Sequence, residues 1–87
     1  MIRMINLAKP PRMKGEIGAV LKKIRKENKV SQVQLAAAMC VDQSVVSRAE
    51  TGEVLTFETL DDIGYCLGFN TPQEFFLEVA RRLQATP

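Results

Sequence analysis

The sequence predicts an all-α fold, in which five short helices form a bundle behind a basic N-terminal arm. Apolar residues recur at helical spacing in five separate segments, and no segment alternates apolar and polar residues as a half-buried strand does. Capping residues, prolines and glycines bound these segments. The length of 87 residues suits one domain, and no apolar run approaches the ~20 residues that span a bilayer.

The arm is predicted to cover residues 1–14, because Pro10 and Pro11 disfavour a helix at this point. Gly15 marks the start of the first helix, which is predicted over residues 15–28. Its apolar residues have the spacing i, i+3, i+4 and i+7, which corresponds to one face of a helix. These residues are Ile17, Val20, Leu21 and Ile24.

Two short helices come next and are joined by a short turn. Ser31 is a suitable N-cap for a second helix over residues 32–39. The carboxylate of Asp42 is placed to cap a third helix over residues 43–51, and Gly52 suits the position that follows its end.

The last two helices also carry clear start signals. Thr56 is a candidate N-cap for a fourth helix over residues 57–67. The run Thr71-Pro72-Gln73-Glu74 combines a capping box with proline at the first helical position. A fifth helix is therefore predicted from residue 72 to about residue 83.

Charge is distributed unevenly along the chain. Residues 1–29 contain nine of the twelve basic residues and two acidic ones, whereas residues 30–87 contain three basic and eight acidic residues. The first part therefore carries +7 and the second −5, in agreement with the net charge of +2. A polyanionic partner and a solvated basic helix face are equally good explanations of this pattern.

The composition argues against an enzyme. The chain has no histidine, which removes histidine-based acid–base catalysis, histidine-paired nucleophiles and histidine-containing metal sites. Its two cysteines, Cys40 and Cys66, are too few for a four-ligand zinc site and are interpreted as small apolar residues. We predict no catalytic residue, no metal site and no cofactor, and a cytoplasmic location because no secretory signal is recognisable.

The helices over residues 32–39 and 43–51 have the spacing of a helix-turn-helix. In that unit the second helix can lie in the major groove of DNA. Leu35, Ala36 and Val46 can pack between the two helices. We expect this packing to leave the N-terminal half of the second helix protruding.

The side chains on the protruding half suit base reading. Gln43 can bond adenine through two hydrogen bonds, Arg48 can bond guanine in the same way, and Val45 can contact a thymine methyl group. Any one of these residues alone is more simply a solvated side chain, so the prediction depends on the set. The candidate base-contacting residues are Gln43, Ser44, Val45, Ser47 and Arg48.

Four stretches of sequence carry a family resemblance: LKKIRKE at 21–27, SQVQLA at 31–36, VDQSVVSRAETG at 41–52 and LDDIGYCLGF at 60–69. With this spacing, residues 21–69 resemble the phage-repressor (Cro-like, Xre-type) helix-turn-helix family. The resemblance covers more than half of the chain and implies a DNA-binding domain over residues 15–69. The arm over residues 1–14 precedes this domain, and the C-terminal helix within residues 70–87 follows it.

The resemblance also implies roles for individual residues. It assigns base contacts or contacts to the flanking backbone to Gln43, Ser44 and Arg48, with Ser47 beside them. It places Gln32 against a phosphate or an outer base, where a helix N-terminus offers backbone N–H groups.

Further predictions concern the frame of the domain and the DNA backbone. The resemblance implies an internal ion pair between Arg25 and Glu50, with a phosphate contact by Arg25 as the alternative. The basic arm can follow DNA and supply salt-dependent affinity, and the alternative is a disordered tail. Besides Gln32, the predicted phosphate-contacting residues are Lys29, Thr51, Arg12 and Lys14.

Three residues depart from the family's pattern. Cys40 stands where the family commonly has glycine, in a turn that favours positive φ. Asp42 replaces the usual serine or threonine, and Glu53 replaces a basic or neutral residue. We therefore expect a mildly strained or slightly altered turn at Cys40 and weakened contacts to phosphate.

The C-terminal helix has more apolar residues than one face of a small helix needs. In a short chain such an excess predicts a partner surface, and we expect an isologous homodimer. The alternative is that this helix only covers the core of its own protomer. The predicted interface residues are Phe75, Phe76, Leu77, Val79, Ala80 and Leu83.

Together these inferences predict a sequence-specific DNA-binding transcriptional repressor. A two-fold dimer would place its recognition helices about 34 Å apart, which suits a near-palindromic DNA operator. Many small members of the family are encoded on phages or plasmids. The alternative is an antitoxin-type protein-interaction module, with a protein partner and secondary DNA binding.

Overall fold

A computed structural model describes residues 13–85 of the chain and the side chains of residues 15–85. Within this range it contains five helices and no strand, so the predicted all-α fold is confirmed. None of these helices is both long and apolar enough to cross a membrane. They are α1 (Met13–Glu27), α2 (Gln32–Met39), α3 (Gln43–Thr51), α4 (Phe57–Cys66) and α5 (Pro72–Ala85).

Helix α1 begins two residues earlier than predicted. Lys14 therefore lies in the first turn of α1 and not in an arm. Proline restricts itself and the residue before it, so Pro10 and Pro11 do not prevent a helix that starts at Met13. Residues 1–12 of the predicted arm, which include Arg12, lie outside the described residues.

Side-chain caps define the starts of three helices. Ser31 Oγ accepts a hydrogen bond from the Gln34 backbone N at 3.0 Å, and Gln34 Oε1 accepts one from the Ser31 backbone N at 2.8 Å. This is the reciprocal pair of a capping box at the start of α2. The hydroxyl groups of Thr56 and Thr71 cap α4 and α5 by accepting from the backbone N three residues later.

Asp42 begins α3 in a different way from the prediction. Its backbone has the extended conformation of an N-cap, and its carbonyl accepts from the Val45 backbone N at 3.0 Å. Its side chain makes no capping hydrogen bond, so the predicted carboxylate cap is wrong. The carboxylate is exposed and can be hydrated, so exchanging water for a backbone N–H gains little free energy.

The core draws on all five helices. Helix α1 packs on α3 and α5, α2 packs on α3 and α4, and α4 packs on α5. Helices α2 and α3 pack on each other, and α1 supports α3 while α4 supports α2. The largest fully buried side chains are Leu21, Ile24, Leu35, Val46, Ile63 and Phe75.

Gly18 permits a close approach between α1 and the end of α3. A Cβ atom at residue 18 would lie 2.5 Å from the carbonyl oxygen of Glu50 and 2.6 Å from that of Ala49. Both neighbours are backbone atoms, so only a shift of a whole helix can make room. Any side chain at this position therefore separates α1 from α3.

We expect Gly18→Ala to lower the free energy of unfolding by about 1–3 kcal/mol, the usual cost of overpacking. Gly15→Ala is the matched control, because it lies in the same helix and a Cβ there meets nothing within 4 Å. The free energy of unfolding of this control should rise by up to about 1 kcal/mol, because alanine has a higher helix propensity than glycine. Urea unfolding measures both variants, and equal stability of the two would contradict the close approach.

Arg82 joins α5 to the C-terminal end of α1. Its guanidinium donates to the two carboxylate oxygens of Glu27 at 2.6 and 2.8 Å, and to Glu78 at 2.6 Å. The hydrogen bonds from Arg82 hold the pKa of Glu27 below its ordinary value. Hydrogen bonds from Arg81 and then Arg82 lower the pKa of Glu78 to about 2.

These two carboxylates should make the fold less stable in acid. Their pKa values are lower in the folded chain than the ordinary value of 4.5, so they stabilise the fold above that pH and lose this contribution as the pH falls through the folded values. We expect the urea midpoint of Arg82→Gln to fall less steeply than that of the parent chain from about pH 5 to about pH 2. Arg48→Gln is the control, because Arg48 pairs with none of the described carboxylates. Equal slopes for Arg82→Gln and the parent would refute this assignment.

Helix α5 presents only part of its apolar surface to solvent. Phe75 is 1% exposed and Val79 is 6% exposed, because both pack into the core of their own protomer. Their predicted place in a dimer interface is therefore wrong. The members of that predicted set that remain exposed or half-buried are Phe76, Leu77, Ala80 and Leu83.

Candidate nucleic-acid interface

Helix α3 is held by its inward face and presents its outer face to solvent. Val46 and Ala49 are fully buried, and the helix packs on α1 and α2. Three of the predicted base-contacting residues lie on the outer face, and two lie half-buried at its edges. The exposed ones are Gln43, Ser44 and Arg48, and the half-buried ones are Val45 and Ser47.

The turn between α2 and α3 passes through Cys40 in the left-handed conformation, with φ 59° and ψ 42°. The backbone N of Cys40 donates to Ala37 O at 3.1 Å, and that of Val41 donates to Ala36 O at 3.0 Å. A residue with a Cβ pays roughly 1–2 kcal/mol for this conformation. The turn thus keeps the shape that glycine usually provides, and the expected strain lies at Cys40, whose side chain is exposed.

A chain of side-chain hydrogen bonds links the start of α3 to the core. Gln43 Nε2 donates to Gln32 Oε1 at 3.2 Å, and Gln32 Nε2 donates to Glu50 Oε1 at 2.9 Å. Arg25 then donates to both oxygens of Glu50, at 2.6 and 3.1 Å. We call these four residues the Gln43–Arg25 chain. It connects α3, α2 and α1.

The ion pair at the inner end sets the direction of every bond in the Gln43–Arg25 chain. The Glu50 carboxylate only accepts hydrogen bonds, so Gln32 must turn its NH₂ group toward it. The carbonyl oxygen of Gln32 then faces Gln43 and accepts from its NH₂ group. Gln43 therefore keeps its own carbonyl oxygen and one N–H free, which is the acceptor and donor pair that adenine requires in the major groove.

The Arg25–Glu50 pair itself is buried. Side-chain exposure is 7% for Arg25 and 3% for Glu50. A third donor of the guanidinium, Nη1, bonds Val30 O at 2.8 Å. The guanidinium of Arg25 therefore makes its hydrogen bonds inside the fold. It is not exposed, which argues against the alternative that Arg25 contacts a phosphate.

The predicted phosphate-contacting residues differ in their availability. Lys29 is exposed directly after α1, in the left-handed conformation with φ 59°. Thr51 Oγ1 donates to Arg48 O at 3.1 Å, so its proton is used within α3 and is not directed at a phosphate. Gln32 is half-buried and commits one N–H to Glu50.

Sequence reasoning did not find the bond between Gln32 and Gln43. The sequence predicts a DNA contact for each residue separately. The signal available was their position, because both are the first residue of their helix. Two helices that pack at their N-terminal ends can bring such residues together, and glutamine can both donate and accept.

A helix-turn-helix family model matches residues 21–64, half of the chain. The chain belongs to the helix-turn-helix family. The matching model is of the Cro/C1 type and Xre-like, so the resemblance noted in the sequence is confirmed. Membership of this family identifies α2 and α3 as a DNA-binding helix-turn-helix unit.

Two solved structures of a gene regulator are similar to this chain in fold. One, of the clp gene regulator ClgR from Corynebacterium glutamicum, is 26% identical, with a TM-score of 0.69 over 84% of this chain and 95% of that chain. A second structure of that regulator is 24% identical, with a TM-score of 0.71 over 88% and 82% of the two chains, and shows likeness of fold alone. No curated protein matches the chain.

Proposed function

We propose that the protein is a sequence-specific transcriptional repressor that binds a near-palindromic operator as a homodimer. The observation that carries this proposal is the exposed outer face of α3, on which the Gln43–Arg25 chain orients Gln43. With α3 in the major groove, the protein excludes RNA polymerase from the operator it occupies. The similar ClgR structure is that of a gene regulator, which supports a regulatory role for this chain.

Base reading is assigned to the outer face of α3. Gln43 bonds one adenine through its free carbonyl oxygen and N–H, and Arg48 bonds a guanine or an adjacent phosphate. Ser44 reaches base edges or the backbone beside it. Val45 and Ser47 make closer contacts at the edges of the helix, where a thymine methyl group fits Val45.

Contacts to DNA phosphates position the helix-turn-helix on the duplex but do not distinguish one base sequence from another. Lys29 is exposed beside the start of α2, and Lys14 lies in the first turn of α1. Arg12 adds charge just before α1, outside the described residues. These contacts release counterions, so we expect affinity for every duplex to fall as salt rises.

The homodimer is proposed to form through a strip on α5 that contains no charged residue. Gln73, Leu77, Ala80 and Gln84 are all exposed and follow one another at spacings of four, three and four, as in the seam between two packed helices. Leu77 is 71% exposed, and a partner helix that covered it would remove its apolar side chain from water. A second α5 that packs antiparallel covers this strip in a two-fold manner.

Selection of bound duplexes from a random pool tests the function directly. A symmetric consensus with two half-sites one helical turn apart is the expected result. An unspecific pool at low salt would contradict sequence-specific binding. A pool with one unpaired half-site would contradict the dimer but keep base reading.

We expect Gln43→Ala to weaken binding to the selected operator by about 1–3 kcal/mol and to relax the preference at one base pair. The reason is the loss of the paired donor and acceptor on Gln43. Lys14→Ala is the control, because a lost phosphate contact weakens all duplexes about equally. Titrations at fixed salt distinguish the two effects, and unchanged operator affinity of Gln43→Ala would overturn the base-reading assignment.

A further inference from the structure

An open apolar groove lies between α1, α4 and α5. Its volume is about 240 Å³, below the roughly 300–1,000 Å³ of typical small-molecule sites. Phe57 is 72% exposed at its edge, although its ring packs edge-to-face on Phe76 with the centroids 5.0 Å apart. The side chains that face the groove are apolar, and the main ones are Ile17, Phe57, Leu60, Phe76, Ala80 and Leu83.

The chain itself supplies a segment that fits this groove. Twelve residues precede α1, and the first eight of them contain one charged side chain, Arg3. The apolar residues of these eight are Met1, Ile2, Met4, Ile5, Leu7 and Ala8. An arm that only contacts DNA phosphates does not need so many apolar residues.

The start of α1 lies close to the groove. Met13 begins α1, and Ile17 faces the groove about one turn later. The six residues from Leu7 to Arg12 can extend roughly 20 Å, whereas the α5 wall from Phe76 to Leu83 is about 10 Å long. The linker is therefore long enough for residues 1–8 to span the groove.

We infer that residues 1–8 dock in the groove between α1, α4 and α5 and cover Phe57 and Phe76. A tethered segment has an effective concentration in the millimolar range, so a shallow groove suffices to hold it. A second protomer must bring a larger surface, and the uncharged strip on α5, which shares only Ala80 with the groove, offers one. The segment after residue 8 carries Lys9 and Arg12 and is left for DNA.

Nuclear Overhauser effects in the full chain test this docking. We expect cross-peaks from the methyl groups of Ile2 and Ile5 to the ring protons of Phe57 and Phe76. Mixed samples of labelled and unlabelled chain distinguish the source of the segment. Cross-peaks within one protomer support the proposal, and cross-peaks found only between protomers would contradict the tethered docking. Cross-peaks from Leu77 of another protomer to these rings, with none from residues 1–8, would overturn it.

A double-mutant cycle tests the same contact by stability. Ile5→Asp should lower Tm by about 4–8 °C, whereas Arg3→Gln, in the same segment, should leave Tm unchanged. In a Phe57→Ala background the effect of Ile5→Asp should largely vanish, because the contact is already lost. An equal effect of Ile5→Asp in both backgrounds would refute the docking. Neither measurement involves DNA, so the result is independent of the proposed repressor function.

Discussion

Glu50→Ala is expected to lower the free energy of unfolding by about 3–5 kcal/mol, more than any other single change considered for this chain. The substitution leaves the guanidinium of Arg25 buried and without its carboxylate partner. It also removes the acceptor for Gln32 Nε2. Urea unfolding followed by circular dichroism measures the loss.

A double variant separates the buried charge from the loss of packing. In Arg25→Met with Glu50→Met, both charges are replaced by apolar side chains, and such replacements of buried pairs are often close to neutral. We expect the double variant to recover most of the stability that Glu50→Ala loses. A loss below about 1 kcal/mol for Glu50→Ala would show that the pair behaves like an exposed one.

The same double variant tests how stability is connected to base reading. Without the carboxylate, the amide of Gln32 is free to turn either end toward Gln43. Gln43 can then present either its donors or its acceptor to DNA, so discrimination of adenine from guanine should decrease while the fold persists. Unchanged discrimination in a folded double variant would mean that DNA alone orients Gln43.

The helices could be predicted from the sequence because their ends carry strong local signals. Ser31 marks the start of α2, and Gly52 marks the end of α3, where it has positive φ. The packing of Val46 into the core also follows from periodicity, since it shares a helix face with Ala49. These features depend on residues close in the chain.

Other features could not be predicted because they depend on residues distant in the chain. Helix α5 carries apolar residues on several of its faces. Periodicity therefore did not show that Phe75 faces the core whereas Leu77 faces solvent. The bond between Gln32 and Gln43 requires the packing of two helices. The hydrogen bonds from Arg82 to Glu27 join residues 55 positions apart.

Leu77→Glu is expected to lower affinity for a two-half-site operator by about 10²–10⁴-fold, the range over which linked binding units gain by acting together. In the proposed dimer the substitution places two carboxylates in the uncharged strip on α5, one from each protomer. Affinity for a single half-site should stay unchanged, because α3 is on a different part of the molecule. Sedimentation equilibrium and DNA titration at fixed salt measure the two effects.

Tyr65→Glu is the matched control for Leu77→Glu, because Tyr65 is equally exposed but lies on α4, outside the strip. It adds the same charge and removes a comparable apolar surface, so it should leave both the dimer and operator affinity intact. If Leu77→Glu remained dimeric, the two-fold contact would lie elsewhere on the surface. If it became monomeric with operator affinity unchanged, a single protomer would be enough for operator recognition and the need for a palindrome would disappear.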